Sequence, residues 1–343
     1  MPRFYSLFIP IAVVALGASG CGGSKQDFTV QPKSFTIETV SPADATSVVI
    51  SGISRDGRLM GTYLKKGVKT VFGWTPDGST SDILLPKECK EARGINELGG
   101  LACVDLQADP DKMFQWQNGS TDQLNLPKNA AVDSVGSITY NSYFLVNLHI
   151  GAGATQGFQI KISDNPKAIT TPGGQVLGSS LSGNITGFDV VNSKKQAIAV
   201  IENKKTSMGF MSGKETLGNS INDIGTVVGD QFDDGGFHQA FRWAKGKYTA
   251  LPNPTGATKT EALDINDGGI IAGYAEVNGE SEACMWYPNK PATLLKDMVA
   301  LPSGVKLTRA LRVTPLGIVI CVGTRTKANV TNTEVFALSP QFP

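Results

Sequence analysis

Residues 221–229 read Ile-Asn-Asp-Ile-Gly-Thr-Val-Val-Gly, and residues 265–273 read Ile-Asn-Asp-Gly-Gly-Ile-Ile-Ala-Gly. Both stretches place Asn-Asp-x-Gly between runs of β-branched residues. This is the chemistry of a tight β-hairpin, because Asn and Asp hydrogen-bond locally and Gly accepts a positive φ. Similar stretches that begin 44 residues apart, at 221 and 265, indicate a repeat architecture.

The same pattern occurs elsewhere in the chain. Clear copies begin at Ile53 and Ile95, and degenerate copies begin near Ile138, Val191 and Val313, which makes seven units with those at 221 and 265. The turn glycines of the four clear copies are Gly57, Gly99, Gly225 and Gly269. In the fourth unit, Lys195 stands where this glycine is expected.

An aromatic pair spaced i, i+2 follows each clear copy and contains every tryptophan of the chain. Each tryptophan lies 21 or 22 residues after the start of its unit. Side chains two residues apart share one face of a strand, so each pair is expected to pack on one side of a sheet. The pairs are Phe72 with Trp74, Phe114 with Trp116, Phe241 with Trp243, and Cys284 with Trp286. In the degenerate copies, the equivalent residues are Phe158, Phe210 and Phe336.

Each unit continues through another turn to a strand that ends at Leu-Pro, as at Leu251-Pro252. Four short strands in about 44 residues make the size of one propeller blade. We therefore predict an all-β fold, a β-propeller of seven four-stranded blades. Six blades are the alternative, because the starts at 138, 191 and 221 give a third unit of 53 residues and a fourth of 30.

The two ends of the repeat region complement each other. The seventh unit lacks its last strand, whereas Ser34–Val40 has a strand pattern and no unit of its own. We predict that this N-terminal strand completes the last blade and closes the ring, which removes exposed sheet edges.

The N-terminus carries a targeting pattern. Arg3 precedes an apolar run and small residues, which is typical of a secretory signal over residues 1–20, with a buried core helix as the alternative. Ala18-Ser19-Gly20-Cys21 resembles a bacterial lipoprotein signal. The resemblance implies cleavage before Cys21, lipidation of Cys21 and N-terminal acylation (palmitate), which together anchor the chain to a membrane. Residues 21–33 are expected to be a flexible tether, and residues 34–343 the propeller domain.

The copies "INDIGTVVG…QAFRW" and "INDGGIIAG…ACMW" resemble the bacterial extracellular HAF repeat family. Gln239-Ala240-Phe241 stands where the His-Ala-Phe signature would be, and the resemblance covers roughly residues 45–343. It implies a secreted or surface β-propeller whose motif residues are structural. It implies no enzymatic reaction and no catalytic residue. Gly22 lacks the Asp associated with inner-membrane retention, so in a Gram-negative host we expect the outer membrane or cell surface.

The amino-acid composition argues against a nucleic-acid-binding protein and against a histidine-rich metal site. Lys plus Arg number 31 and Asp plus Glu number 30, so no one-sign field attracts nucleic acid. Only two histidines occur, His149 and His238, and we expect both to be solvated or core residues. Asp264–Gly268 and Asp233–Gly236 suggest calcium loops, but we interpret both as turns. We therefore expect no cofactor, metal site or catalytic residue, and a monomeric ring.

Four cysteines remain after Cys21. Cys103 and Cys321 occupy the position of small buried residues in other units, and Cys284 replaces the aromatic Phe, which favours buried thiols. If a disulfide forms, we expect it between Cys284 and Cys321 on adjacent units. Cys89 and Cys103 flank one hairpin but lie about three residues out of register, which argues against their pairing.

The best-supported function is a lipid-anchored binding or protein-interaction scaffold with an unknown protein or glycan partner. The first alternative is a polysaccharide-directed hydrolase or lyase with carboxylates converging from several blades. The second is a structural component of an envelope assembly.

The lipid anchor leads to a direct test. Cys21→Ala removes the acceptor thiol, so we expect loss of acyl incorporation and release of the protein from the membrane fraction. Labelling cells with a clickable palmitate analogue measures the first effect, and fractionation measures the second. Retention of label at Cys21→Ala would contradict the lipoprotein prediction.

Overall fold

The computed structural model describes residues 31–43 and 45–342. The signal over residues 1–20, Cys21 and most of the tether lie outside the described residues. Within the described part, the chain forms seven four-stranded antiparallel sheets, the blades of a β-propeller. The prediction of seven blades is confirmed, and the six-bladed alternative is wrong. No helix in this part of the chain is long and apolar enough to cross a membrane.

The strands follow the chain blade by blade. An N-terminal strand, β1 (Ser34–Thr39), comes first. Blade 1 consists of β2 (Thr46–Ile53), β3 (Leu59–Lys65), β4 (Val68–Trp74) and β5 (Thr80–Asp82). Blade 2 consists of β6 (Glu91–Ile95), β7 (Leu101–Asp105), β8 (Lys112–Gln117) and β9 (Ser120–Gln123). Blade 3 consists of β10 (Ala130–Ile138), β11 (Phe144–Ile150), β12 (Gln156–Ile160) and β13 (Lys167–Ala168).

The second half of the ring repeats this plan. Blade 4 consists of β14 (Gln175–Ser179), β15 (Ile185–Val191), β16 (Lys194–Ile201) and β17 (Lys204–Ser207). Blade 5 consists of β18 (Glu215–Ile221), β19 (Val227–Phe232), β20 (His238–Ala244) and β21 (Lys247–Ala250). Blade 6 consists of β22 (Ala257–Ile265), β23 (Ile271–Val277), β24 (Glu280–Trp286) and β25 (Thr293–Leu294), followed by a short 3-10 helix (Leu295–Asp297).

Blade 7 contains both ends of the described chain. Its strands are β26 (Val305–Val313), β27 (Val319–Lys327), β28 (Val330–Gln341) and the N-terminal β1. β1 pairs antiparallel with β28, with Phe35 opposite Pro340 and Ile37 opposite Leu338. The prediction that the N-terminal strand completes the last blade is therefore confirmed.

The fourth unit starts earlier than its sequence pattern suggested. The hairpin between β14 and β15 turns at Ser180–Asn184, so Ser179 takes the place that Ile221 has in blade 5. Starts at 138, 179 and 221 make the third and fourth units 41 and 42 residues long. The start at Val191 was wrong because Asn192 and Ser193, both at positive φ, form the next hairpin of the same blade with similar turn chemistry.

The aromatic position of the fourth unit shifts accordingly. Ile198 lies opposite Gly187 in blade 4, as Phe241 lies opposite Gly229 in blade 5. Phe210 instead follows β17 outside the strands, so its assignment to the repeat was wrong. In the other degenerate units, Phe158 and Phe336 do lie on the third strand of their blades.

The apolar core is divided among the interfaces between blades. Seven buried clusters are found in the described residues, and each combines side chains from two consecutive blades. Phe72 and Trp74 pack against Ile320 of blade 7, and Trp243 lies with Ala197 of blade 4. Phe114 and Trp116 are half-buried against the core between blades 1 and 2. Each blade therefore stabilises the next.

The cysteines pair differently from the sequence-based expectation. Cys284 and Cys321 carry buried free thiols, as favoured, and do not bond to each other. The disulfide joins Cys89 to Cys103, with 4.9 Å between the Cα atoms. Cys103 does lie opposite Ala92, three residues past Cys89. However, a turn in which the Cys89 amide bonds to the Pro86 carbonyl, at 3.0 Å, brings Cys89 next to β7.

This disulfide leads to a stability prediction. Replacing both cysteines, Cys89→Ala with Cys103→Ala, should lower the free energy of unfolding by about 3 kcal/mol, because the bond closes a loop of similar length to those that give this value. Urea unfolding under non-reducing conditions measures the change. Cys284→Ala, which removes a buried free thiol, is the control. Reductant should lower the free energy of unfolding of Cys284→Ala as much as that of the parent protein. Equal stability of the double variant and the parent would refute the pairing.

Candidate functional site: the turn face and the axis of the ring

One face of the ring carries the hairpin between the first and second strand of every blade, and we call it the turn face. Each hairpin is a three-residue loop, as in blade 5, where Asn222 and Thr226 close the loop and the Gly225 amide bonds to the Asn222 carbonyl at 3.0 Å. The last loop residue has a positive φ in every blade: Gly57, Gly99, Ser142, Gly183, Gly225, Gly269 and Gly317.

The repeat asparagines also join neighbouring blades. The Asn222 carboxamide oxygen accepts from the Thr226 amide at 2.9 Å, and its Nδ2 donates to the Asn266 carbonyl at 3.1 Å. Asn266 in turn donates to the Thr314 carbonyl of blade 7 at 3.0 Å. The following aspartates continue this arrangement, since the Asp223 amide donates to the Asp267 carboxylate at 2.9 Å. The motif thus holds adjacent blades together as well as forming turns.

Arg55 closes the axis at the turn face. It belongs to the blade 1 hairpin, but its side chain crosses the axis to blades 4, 5 and 6. Nε donates to the Ser179 carbonyl at 2.7 Å, and Nη1 donates to the Ile265 carbonyl and the Asp264 carboxylate, each at 3.0 Å. Nη2 donates to the carbonyls of Ser179 and Ile221. All five guanidinium hydrogens can therefore be matched to acceptors.

Asp264 is the anionic partner at this point of the axis. It is buried and accepts from Arg55 and also from Arg312 Nη1 at 2.9 Å. The Ser220 hydroxyl at 2.7 Å and the Val313 amide at 2.9 Å complete its partners. Burial lowers the pKa of the Arg55 guanidinium, and the Asp264 charge opposes that effect. Two cations on one buried carboxylate make a tightly held network.

A polar cavity of about 120 Å³ lies along the axis next to this network. The first strands of all seven blades contribute to its lining, through residues such as Ile53, Ile95, Ile138, Ser179, Ser220, Leu263 and Arg312. The volume suits several water molecules, since each needs about 10–15 Å³. Glu97 Oε2 and Arg312 Nε have no hydrogen-bond partner among the described residues, and both residues line this space.

Both aspartate-rich stretches contribute to turns, as interpreted from the sequence. Asp264 precedes the blade 6 hairpin, in which the Gly269 amide bonds to the Asn266 carbonyl at 3.0 Å, and its carboxylate is held by two arginines. Asp233–Gly236 forms a turn, in which the Asp233 carboxylate accepts the Gly235 amide at 3.0 Å. Arg55 was missed as a site residue. The available signal was an arginine in the first repeat where later repeats have Asp223 and Asp267.

The two histidines have different surroundings. His149 Nδ1 contacts the Asp133 carboxylate directly, at 2.6 Å. His238 Nδ1 lies 3.5 Å from Asp230 and 3.6 Å from Glu261, and it has no hydrogen-bond partner among the described residues. Sequence reasoning missed this three-residue cluster, because its members come from the strands β19, β20 and β22 of two blades.

Asp230 is the buried member of this cluster. Burial, and then the negative charge of Glu261, raise the pKa of Asp230 to about 6. The Asn219 carboxamide donates to Asp230 at 3.1 Å and so fixes one carboxylate oxygen. On the other side, burial and the Glu261 carboxylate raise the pKa of the Tyr274 phenol.

Comparison with known proteins supports the fold. No protein-family model matches the chain, and no curated protein matches it in sequence. Among solved structures, the chain is similar to a catalytically inactive virginiamycin B lyase from Staphylococcus aureus with quinupristin. That match has a TM-score of 0.54 and 12% identity, and it covers 89% of this chain and 99% of the other.

Two further structures match in the same way. A streptogramin B lyase has a TM-score of 0.53 at 10% identity, covering 91% of this chain and 100% of the other. YCF48 bound to D1 peptide has a TM-score of 0.54 at 12% identity, covering 92% of this chain and 99% of the other. At these identities the similarity establishes the propeller fold, and the activities belong to those proteins.

The axial network leads to a stability prediction. Arg55→Met should lower the free energy of unfolding by about 3 kcal/mol, because it removes one partner of a buried charge and leaves backbone carbonyls unpaired. Arg58→Met in the same hairpin is the control, since its ion pair with Asp56 is solvent-exposed and should contribute less than about 1 kcal/mol. Urea unfolding compares the two variants, and equal losses would contradict the assigned role of Arg55.

Proposed function

We propose that this chain is an exported lipoprotein of the HAF-repeat kind whose propeller acts as a binding scaffold for a protein partner. Binding takes place on the turn face. A groove on that face, together with the exposed apolar side chains around it, carries this proposal. The remaining support comes from the closed axis and the N-terminal sequence.

The apolar side chains come from four blades. Ile224 is 74% exposed and Leu316 is 68% exposed, and both occupy the middle of their hairpin loops. Leu98 holds the same loop position in blade 2, and Tyr140 is exposed in the blade 3 loop. Exposed apolar residues are ordinary on protein surfaces, and the opposite face has some as well, such as Val68. Those of the turn face favour contact with a protein because Ile224 among them lines a groove.

A groove beside Ile224 offers room for partner side chains. It has a volume of about 580 Å³ and lies between blades 5 and 6. Arg242 and Lys290 contribute to its lining and are exposed, whereas the lining residues Trp286 and Tyr287 are buried beneath it. Arginine is among the side chains that most often dominate protein interfaces.

The axis favours a partner that lies across the face. Arg55 fills the centre at the turn face, and the cavity below it holds only about 120 Å³. Asp264, a carboxylate at the axis, is already bound to two guanidinium groups. These contacts support the scaffold over the polysaccharide hydrolase or lyase, which needs carboxylates that can reach a glycan.

The fold itself does not select the function. Similar structures include both a lyase and a protein solved with a bound peptide, so the propeller can host either kind of site. The lipobox-like Ala18-Ser19-Gly20-Cys21 supports the membrane anchor, and Gly22 supports an outer-membrane location in a Gram-negative host. A lipid anchor with a short tether would hold the ring near the membrane surface.

Cross-linking in the native envelope tests this proposal. Ile224→Asp with Leu316→Asp places two charges in the proposed interface, so we expect at least about tenfold loss of the cross-linked partner. Val68→Asp with Val330→Asp is the matched control. These valines are similarly exposed, but they lie at hairpins of the opposite face and should not affect the partner.

Equal cross-linking by both double variants would contradict binding at the turn face. If no protein is captured and the purified protein shortens envelope polysaccharides, the hydrolase or lyase alternative replaces the scaffold. Circular dichroism and the thermal unfolding midpoint of each variant show whether the fold is preserved.

A further inference from the structure

We infer that Asp230, His238 and Glu261 form a binding site for a divalent transition-metal cation of the Zn²⁺ class. The site lies between blades 5 and 6, away from the turn-face hairpins. Nothing in the sequence pattern pointed to it, and we had expected no metal site.

The spacing of the donor atoms fits a cation. The candidate ligand atoms all lie within 4.8 Å of one another. His238 Nδ1 is 3.5 Å from Asp230 Oδ2 and 3.6 Å from Glu261 Oε1. These distances exceed the hydrogen-bond range of about 2.7–3.2 Å. Two ligands bound tetrahedrally at about 2.0–2.1 Å from Zn²⁺ lie about 3.4 Å apart, close to the spacing seen here.

One ring nitrogen of His238 is a buried polar atom without a partner. His238 Nδ1 is inaccessible to solvent and has no hydrogen-bond partner among the described residues. Its ring stacks on Phe232, with 5.6 Å between the ring centroids, which holds the nitrogen towards the carboxylates. Buried polar atoms are nearly always paired, and a missing ion is one of the few explanations for an exception.

The chain's other histidine, His149, does not show the same long distance between imidazole and carboxylate. His149 meets Asp133 at hydrogen-bonding distance, and the Thr155 hydroxyl donates to the same carboxylate at 2.6 Å. No space for an ion separates that pair. At His238 two carboxylates face one imidazole nitrogen, at 3.5 and 3.6 Å, which is within ion-pair distance but longer than a hydrogen bond.

The charge balance also favours a cation. The Asp230 side chain is 4% exposed and shares the site with a second carboxylate, Glu261, so two negative charges repel each other in a poorly solvated place. A divalent cation would compensate both charges. The side chains of Lys195 and Arg309 lie over the rings of Phe232 and Tyr274. Among the described residues, neither forms a salt bridge with Asp230 or Glu261.

The ligand types select among metals. Carboxylates alone suit Mg²⁺ and Ca²⁺, whereas imidazole suits Zn²⁺ and its first-row neighbours. Three protein ligands leave one tetrahedral position open, as in zinc sites that bind water or an external group. His238 is 30% exposed and Glu261 is 24% exposed, so the cluster lies close to the protein surface. The Asn219 carboxamide donates to Asp230 and is placed to orient that carboxylate.

Metal binding by the detergent-purified full-length lipoprotein tests the inference. After chelator treatment, equilibrium dialysis against Zn²⁺ should load one ion per chain, as counted by elemental analysis. His238→Ala and Glu261→Gln should each weaken Zn²⁺ binding at least about tenfold. His149→Ala, at the chain's other histidine–carboxylate pair, should bind Zn²⁺ like the parent protein.

A second readout is independent of the stoichiometry. Zn²⁺ should raise the thermal unfolding midpoint of the parent and of His149→Ala, but not of His238→Ala or Glu261→Gln, because a ligand that binds only the folded state stabilises it. Glu261→Gln replaces a partly exposed side chain by an isostere, so it keeps the test valid if His238→Ala does not fold. Three outcomes would each overturn the inference: no Zn²⁺ on the parent protein, unchanged binding by both site variants, or binding of Ca²⁺ in preference to Zn²⁺.

Discussion

Every blade of this ring has an apolar face that only its neighbour can cover, and the rest of the structure depends on that constraint. The seven buried clusters lie between blades, so no blade contains a complete core. A single missing neighbour would expose apolar surface on both sides of the gap. The hydrogen bonds from Asn222 and Asn266 to the next hairpin also hold neighbouring blades together, because they fix the position of each blade relative to the next.

Features that repeat could be predicted from the sequence, and features that occur once could not. Asn-Asp-x-Gly and the tryptophan spacing predicted the four-stranded blade, because both patterns occur in several copies. Ring closure by Ser34–Val40 could be predicted because the last unit lacks one strand and the N-terminal strand has no unit of its own. The fourth start was misplaced because Asn192 and Ser193 imitate the repeat turn. The Cys89–Cys103 bond was missed because a turn at Pro86 moves Cys89 out of simple strand register.

The axis and the histidine cluster were beyond sequence reasoning for a shared reason. Arg55 and Asp264 are 209 residues apart, and they meet only because a closed ring brings blade 1 across to blade 6. The two sites nevertheless differ. Asp264 has four donors around it, whereas His238 Nδ1 has no hydrogen-bond partner among the described residues. The first arrangement holds the ring together, and the second is suited to a ligand.

The pairing of β1 with β28 imposes an order on synthesis. Thr36 bonds to the carbonyl of Ser339, 303 residues later, so one of the first strands to leave the ribosome must wait for one of the last. During that interval β1 has no partner strand, and the first and last blades have uncovered faces. Such long-range contacts form slowly and leave sheet edges open to other chains. A nascent chain of this kind therefore remains open to chaperones until strand β28 is free.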